Sequence, residues 1–124
     1  MLTEVRHALI IEDEMIIALE VENLLAELGF SSFDIADSPA QAVAAAMARR
    51  PDLVTADYRI IGGTGLEAVA GIVGAIGRVP VVYITGNPDI VLKHGLRPVV
   101  DKPISPTALA AACARARGHP SLDG

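Results

Sequence analysis

An α/β fold is predicted, a (βα)5 doubly wound parallel sheet in strand order 2-1-3-4-5 held between two helical layers, and three observations predict it. Short apolar runs at 8–11, 53–56, 81–84 and 99–100 each stop on a polar residue, as strands buried on both faces do. Between the strands, apolar residues recur at helical spacing. Regular alternation of the two implies a parallel sheet with helices on both faces, and right-handed crossovers leave few topologies, of which this order is the commonest.

After the first strand, Ile17, Val21, Leu24 and Leu28 lie at helical spacing and Gly29 stops the helix. A weaker second strand covers 32–36. Ser38-Pro39-Ala40-Gln41 opens the next helix: Ser38 caps, Pro39 suits the first position and Gln41 completes a capping box. That helix is expected to run to about Arg50 with Ala40, Val43, Ala44 and Met47 inward. A third strand over 53–57 leads through a glycine-rich turn to a Thr64/Glu67 capping box, with Leu66, Val69, Val73 and Ile76 inward. The fourth strand, 79–85, is followed by Asn87-Pro88-Asp89 and by Gly95, which leaves an abnormally short helix. A short fifth strand, 99–101, precedes Ser105-Pro106 and a last helix with Leu109, Ala112, Cys113 and Ala116 on one face.

With 124 residues the chain is expected to be one domain over 1–118, with a flexible tail over 119–124. Hydrophobic content of 52% with only 3% aromatics means that Ala, Val, Ile and Leu fill the core. A net charge of −5 without a concentrated basic patch argues against direct nucleic-acid binding. Arg49, Arg50, Arg115 and Arg117 read as helix-end charges that complement the dipole. A single cysteine, Cys113, forms no internal disulfide and reads as a small core residue. No segment resembles a signal or a membrane span, so a cytoplasmic location without membrane contact is expected. His7, His94 and His119 lack ligand spacing and read as surface residues, and Tyr58, Tyr83, Phe30 and Phe33 as core or rim packing.

The winding reverses between the first and third strands, where ligands of such sheets bind. Glu12, Asp13 and Asp57 end those two strands. Crowded carboxylates either have raised pKa values or hold a cation, and oxygen donors without clustered His or Cys suit Mg2+ or another hard divalent ion such as Mn2+. A carboxylate can also attack phosphorus if the phosphoryl oxygens are neutralised. Lys102 from the last strand and Thr85 from the fourth offer a charge and a hydroxyl, and Asp57, the lone acid of the central strand, is the candidate nucleophile.

Leu9-Ile10-Ile11-Glu12-Asp13-Glu14, Asp57 with Gly65 eight residues on, Thr85-Gly86 and Lys102-Pro103 together resemble the receiver domains of two-component response regulators, a CheY-like, flavodoxin-like fold, over almost the whole chain. The resemblance implies that Asp57 is the phosphoacceptor for a sensor histidine kinase or histidine phosphotransfer protein. It further implies that Glu12, Asp13, Asp57 and the backbone carbonyl of Arg59 hold Mg2+ and that Thr85 and Lys102 bind the phosphoryl oxygens. Gly65 and Pro103 are implied as structural positions, with a cis Lys102-Pro103 bond. A downstream protein partner and a homodimer formed on phosphorylation are also implied. The domain would be no enzyme beyond its own phosphotransfer and autodephosphorylation.

The sequence departs from that pattern at Ile60 and Ile61, where the family often has Met-Pro, and at Val99, where it usually has an aromatic switch. The segment 86–101 is short, and Pro80-Val81-Val82-Tyr83-Ile84-Thr85-Gly86 is similar to a variant group common in alphaproteobacteria, with Asn87 in place of a tyrosine. In that group's likeness, readout would order the loop after Thr85. The alternatives are a degenerate receiver serving as a constitutive protein-docking module, which the intact Asp57, Thr85 and Lys102 count against and Val99 and the short fourth helix leave open, a flavodoxin-like cofactor binder, which Glu12-Asp13-Glu14 disfavours by repelling phosphate, and a phosphohydrolase, which would want an acid where Arg59 stands.

Overall fold

Twelve elements alternate along the computed structural model, which describes residues 6–96 and 98–118. They are β1 (His7–Ile11), α1 (Met15–Glu27), β2 (Ser32–Ala36), α2 (Pro39–Ala48), β3 (Leu53–Ala56), β4 (Arg59–Ile60), β5 (Gly63–Thr64), α3 (Gly65–Ile76), β6 (Val81–Thr85), α4 (Pro88–Lys93), β7 (Val99–Asp101) and α5 (Pro106–Ala116). The main sheet is parallel with order β2-β1-β3-β6-β7, which is the expected 2-1-3-4-5. The tail expected over 119–124, with His119, lies outside the described residues.

Alternate residues of each strand feed opposite layers, as the pleat requires. Ala8 and Ile10 pack with Ala18, Val21 and Leu25 of α1 and with Leu109, Ala112 and Cys113 of α5. Leu9 and Ile11 pack with Ala42 and Ala46 of α2, Ala68, Val69 and Ile72 of α3, and Val91 of α4. The helix starts are fixed by side chains. Ser105 Oγ accepts from Ala108 N at 3.2 Å. The Thr64/Glu67 capping box is complete, with Thr64 Oγ1 accepting from Glu67 N at 3.2 Å and Glu67 Oε1 from Thr64 N at 3.1 Å. Caps of this kind contribute about 1 kcal/mol each.

Five expectations are corrected. The face of α2 is turned: Ala42 and Ala46 are buried, Val43 and Ala45 are half-buried, and Met47 is 63% exposed with Ala40 and Ala44 outside. An apolar residue at nearly every position gives no periodicity to read, and packing selects the small face because α3 comes close; a Cβ on Gly71 would meet Val43 Cγ2 at 2.8 Å. In α3, Val69, Leu66 and Ile76 pack inward as expected, but Val73 is exposed, and Ala68 and Ile72 are the most deeply buried residues of the core face. Gln41 Oε1 reaches past its cap to Asp37 N at 3.2 Å, so the box at Ser38 is half made. His7 is no surface residue: it is 3% exposed, because β1 is an inner strand, and its ring bonds Ser32 Oγ at 2.9 Å and Asp34 Oδ2 at 3.0 Å. Arg50 complements not its own helix but the end of α3, donating to Ile76 O at 2.5 Å and Arg78 O at 2.7 Å. The β4–β5 hairpin was not foreseen; it shapes the glycine-rich turn after Asp57.

Candidate functional site

Ile11 and Ala56 are register partners in β1 and β3, so Glu12 and Asp57 leave adjacent strands at the same level. Backbone bonds hold both exits: Glu12 N donates to Ala36 O at 2.9 Å and Asp57 N to Ile11 O at 3.0 Å. One carboxylate oxygen each from Glu12, Asp13 and Asp57 lies within 4.8 Å of the others. Glu12 is 4% exposed, Asp57 is half-buried and Asp13 is at the surface, so the cluster opens to solvent on the Asp13 side. Three hard oxygen donors at this spacing fit a small divalent cation in a site completed by water.

The sheet brings a cation to the same place. Register pairs Thr85 with Asp101, so Lys102 follows β7 at the same end. Its Nζ donates to Asp57 Oδ2 at 3.1 Å and to Glu12 Oε1 at 3.2 Å. Lys102-Pro103 is cis. Tyr58 N donates to Asp57 Oδ1 at 2.8 Å, so the first amide after the acid already serves that carboxylate. Glu14 N does the same for Glu12 Oε2 at 3.2 Å.

These neighbours set the charges. Burial, and then the charge of Asp57, push the Glu12 carboxyl up to about 7, against the opposing pull of the Glu14 amide and Lys102. For Lys102, burial alone would lower the ammonium pKa, but the hydrogen bonds and charges of Asp57 and Glu12 outweigh it and leave the pKa raised. Lys102 is therefore a fixed positive charge over Asp57.

Thr85 is buried at the end of β6, and its Oγ1 accepts from Asn87 N at 3.0 Å. Its side chain thus bonds the loop that enters α4, while its carbonyl accepts from Lys102 N at 3.1 Å; the structure brings the side chains of Glu12, Asp13, Asp57 and Lys102 together, and the described hydrogen bond of the Thr85 hydroxyl goes to none of them. Arg59 begins β4, exposed, with its guanidinium carbon 5.8 Å from the centre of the Tyr58 ring. Gly65 donates its N–H to Tyr58 O at 2.7 Å, and a Cβ there would lie 1.9 Å from the Asp57 carbonyl oxygen. Only glycine permits that approach. The strand order read from the sequence places Lys102 at this end of the sheet, but its bond to Glu12, 90 residues away, was not foreseen, because strand order does not fix where a long side chain points.

The profile of the response regulator receiver domain matches residues 8–114. The phyllosphere-induced regulator PhyR of Methylorubrum extorquens is 36% identical over 114 residues, which cover 87% of this chain and 42% of that protein. The receiver domain of PhyR from Erythrobacter litoralis, solved by NMR in solution, is 33% identical with a TM-score of 0.79, covering 90% of this chain and 89% of that one. The anti-anti-sigma factor PhyR of Bartonella quintana, a crystal structure, is 32% identical with a TM-score of 0.79, covering 91% of this chain and 47% of that one. This chain spans less than half the length of the curated relative it matches.

Proposed function

The chain belongs to the response regulator receiver domain family, and from that premise we propose that Asp57 accepts a phosphoryl group from a sensor histidine kinase or histidine phosphotransfer protein and so switches the binding of a protein partner. The observation that carries this reading is the Asp57 carboxylate held 3.1 Å from Lys102 Nζ inside a cluster of three acids.

In the transfer, a carboxylate oxygen of Asp57 bonds to phosphorus as the P–N bond of the donor phosphohistidine breaks, and the departing imidazole takes up a proton. Lys102, already between Asp57 and Glu12, turns to the phosphoryl oxygens as Asp57 loses its charge. The Thr85 hydroxyl supplies a second donor, exchanging or sharing its present bond to Asn87. Glu12, Asp13, Asp57 and the carbonyl of Arg59 are the ligand set for Mg2+ or Mn2+. That ion, when bound, neutralises the acids and the incoming phosphoryl charge. Hydrolysis returns the Asp57 carboxylate, so the domain catalyses only its own phosphorylation and dephosphorylation.

Readout follows from what stands around Thr85. Val99 is half-buried and lines a groove of about 500 Å3 with Pro88, Leu92 and Pro98; position 99 itself carries no ring to turn inward. The Thr85–Asn87 bond ties the phosphoryl site directly to the short α4, and we assign the switch to that loop. By likeness to the Bartonella anti-anti-sigma factor, the chain is the receiver part of a regulator of that kind, acting in the cytoplasm. Among the described residues no helix is long and apolar enough to cross a membrane.

The test is intact-protein mass after incubation with a small acyl phosphate, with and without Mg2+, for wild type and Asp57→Asn. A Mg2+-dependent phosphoryl adduct absent from the variant is the expected result. No adduct with either this donor or a phosphorylated kinase, together with failure to bind beryllofluoride and Mg2+, would instead leave the constitutive docking module.

A further inference from the structure

At the end of the sheet opposite Asp57, a half-open groove of about 240 Å3 lies between the end of α1 and the end of α5. Its floor is Leu28, Phe30, Ala110 and Cys113, and its rims are Arg6 and Arg117. The guanidinium carbon of Arg117 stands 5.6 Å from the centre of the Phe30 ring. Arg6 is fixed from behind, its carbonyl accepting from Ser31 N at 3.0 Å and Ser32 N at 3.2 Å, and its Nη1 lies 3.5 Å from the position of a Cβ on Gly29.

Both arginines are half-buried, yet among the described residues neither forms an ion pair or a side-chain hydrogen bond. They are not needed for the nearby carbonyls of α1: Leu25 O already accepts from Leu28 N and Phe30 N, and Ala26 O from Gly29 N. Arg50 shows the contrast, since its guanidinium is committed to two carbonyls. In a chain of net charge −5, two guanidinium groups that form no ion pair among the described residues stand over one apolar floor. Planar guanidinium forks match a carboxylate, and the floor beneath matches an aliphatic side chain.

We propose that the groove between Arg6 and Arg117 is a docking site for an acidic segment of a partner protein, which places a carboxylate between the arginines and a neighbouring apolar side chain against the half-buried Leu28 and Ala110. The volume holds about two side chains, less than the roughly 300 Å3 where small-molecule pockets begin, which favours a peptide segment over a cofactor. The site is distinct from the phosphoryl-transfer cluster and independent of that reading, so a partner held here stays accessible whether or not Asp57 carries phosphate.

The probe is the dipeptide amide acetyl-Leu-Glu-NH2, titrated into the 15N-labelled full chain, with the uncharged acetyl-Leu-Gln-NH2 and inorganic phosphate as comparisons. Saturable amide shifts at Gly29, Ser31 and Arg117 are expected for the acidic dipeptide alone, with a dissociation constant of about millimolar. Arg6→Gln and Arg117→Gln should each weaken binding by about tenfold, the loss expected for a charge-assisted pair, while Arg49→Gln leaves it unchanged and all three variants keep the Mg2+-dependent phosphoryl adduct. No saturable shift, binding by both arginine variants as tight as by wild type, or equal binding of the glutamine dipeptide or of phosphate would overturn the proposal.

Discussion

Lys102 Nζ lies 3.1 Å from Asp57 Oδ2 although β6 separates the strands from which the two residues emerge. The same ammonium bonds Glu12, so one positive charge stands between two carboxylates, and both Asp57 and Lys102 act on the ionisation of Glu12.

Substitutions at the two ends of that contact should therefore move Glu12 in opposite directions. Asp57→Asn removes a neighbouring negative charge that raises the Glu12 pKa, and Lys102→Met removes a positive charge that lowers it. In a carboxyl NMR titration, Glu12 is expected to fall below about 7 in Asp57→Asn while staying above the ordinary 4.5, because burial is the larger cause. In Lys102→Met it should rise further. Shifts of the same sign in both variants would show that charge is not what couples these residues.

The raised Glu12 also dictates how stability follows pH. Between 4.5, the ordinary value, and about 7, the folded chain holds a proton that the unfolded chain has lost, so more protons are bound in the folded state. Stability should fall as pH rises through that window and level off above it, by at most about 3 kcal/mol from this group. A divalent ion relieves the same repulsion, so the rise in Tm on adding Mg2+ is expected to be several degrees larger at pH 8 than at pH 5. Equal increments at the two pH values would show that the ionisation of Glu12 plays no part in ion binding.

Much of this arrangement was legible in the residues. Apolar runs that stop on Glu12, Asp57 and Thr85 gave strand ends, and the alternation gave the order, because burial of a parallel sheet writes itself as uninterrupted Val, Ile, Leu and Ala. The face of α2 was not legible, since a helix with Ala at most positions carries no stripe and the choice is made by how closely Val43 can meet Gly71. The burial of His7 was equally hidden: a histidine at a strand start looks exposed until Ser32, Asp34 and Asp52, three polar groups from other segments, are brought around it. Long-range polar pairing has no local signature.

Gly65 offers a prediction about fold rather than chemistry. Any Cβ there would lie 1.9 Å from the carbonyl oxygen of Asp57, a backbone atom that cannot swing aside. Gly65→Ala is expected to cost about 3 kcal/mol or more in denaturant unfolding, whereas Gly74→Ala, where a Cβ meets nothing within 4 Å, should be neutral or stabilising by up to about 1 kcal/mol. Similar losses at both sites would refute the close approach as the reason for glycine at 65.

Arg59 is the one cation of the β3–α3 loop, two residues from Asp57, exposed and with its guanidinium carbon 5.8 Å from the centre of the Tyr58 ring. We predict that this charge shields a phosphoryl group on Asp57 from attack by water. Arg59→Ala should shorten the phosphoryl half-life by about five- to tenfold, equivalent to roughly 1 kcal/mol in the hydrolysis barrier. Arg59→Lys keeps the charge but loses the planar stack and should fall between the two. Since neither substitution alters the backbone carbonyl assigned to the ion, Mg2+ affinity should be the same in all three proteins. Equal half-lives would discard the shielding role, and a parallel loss of Mg2+ affinity would mean that the side chain acts by holding the loop.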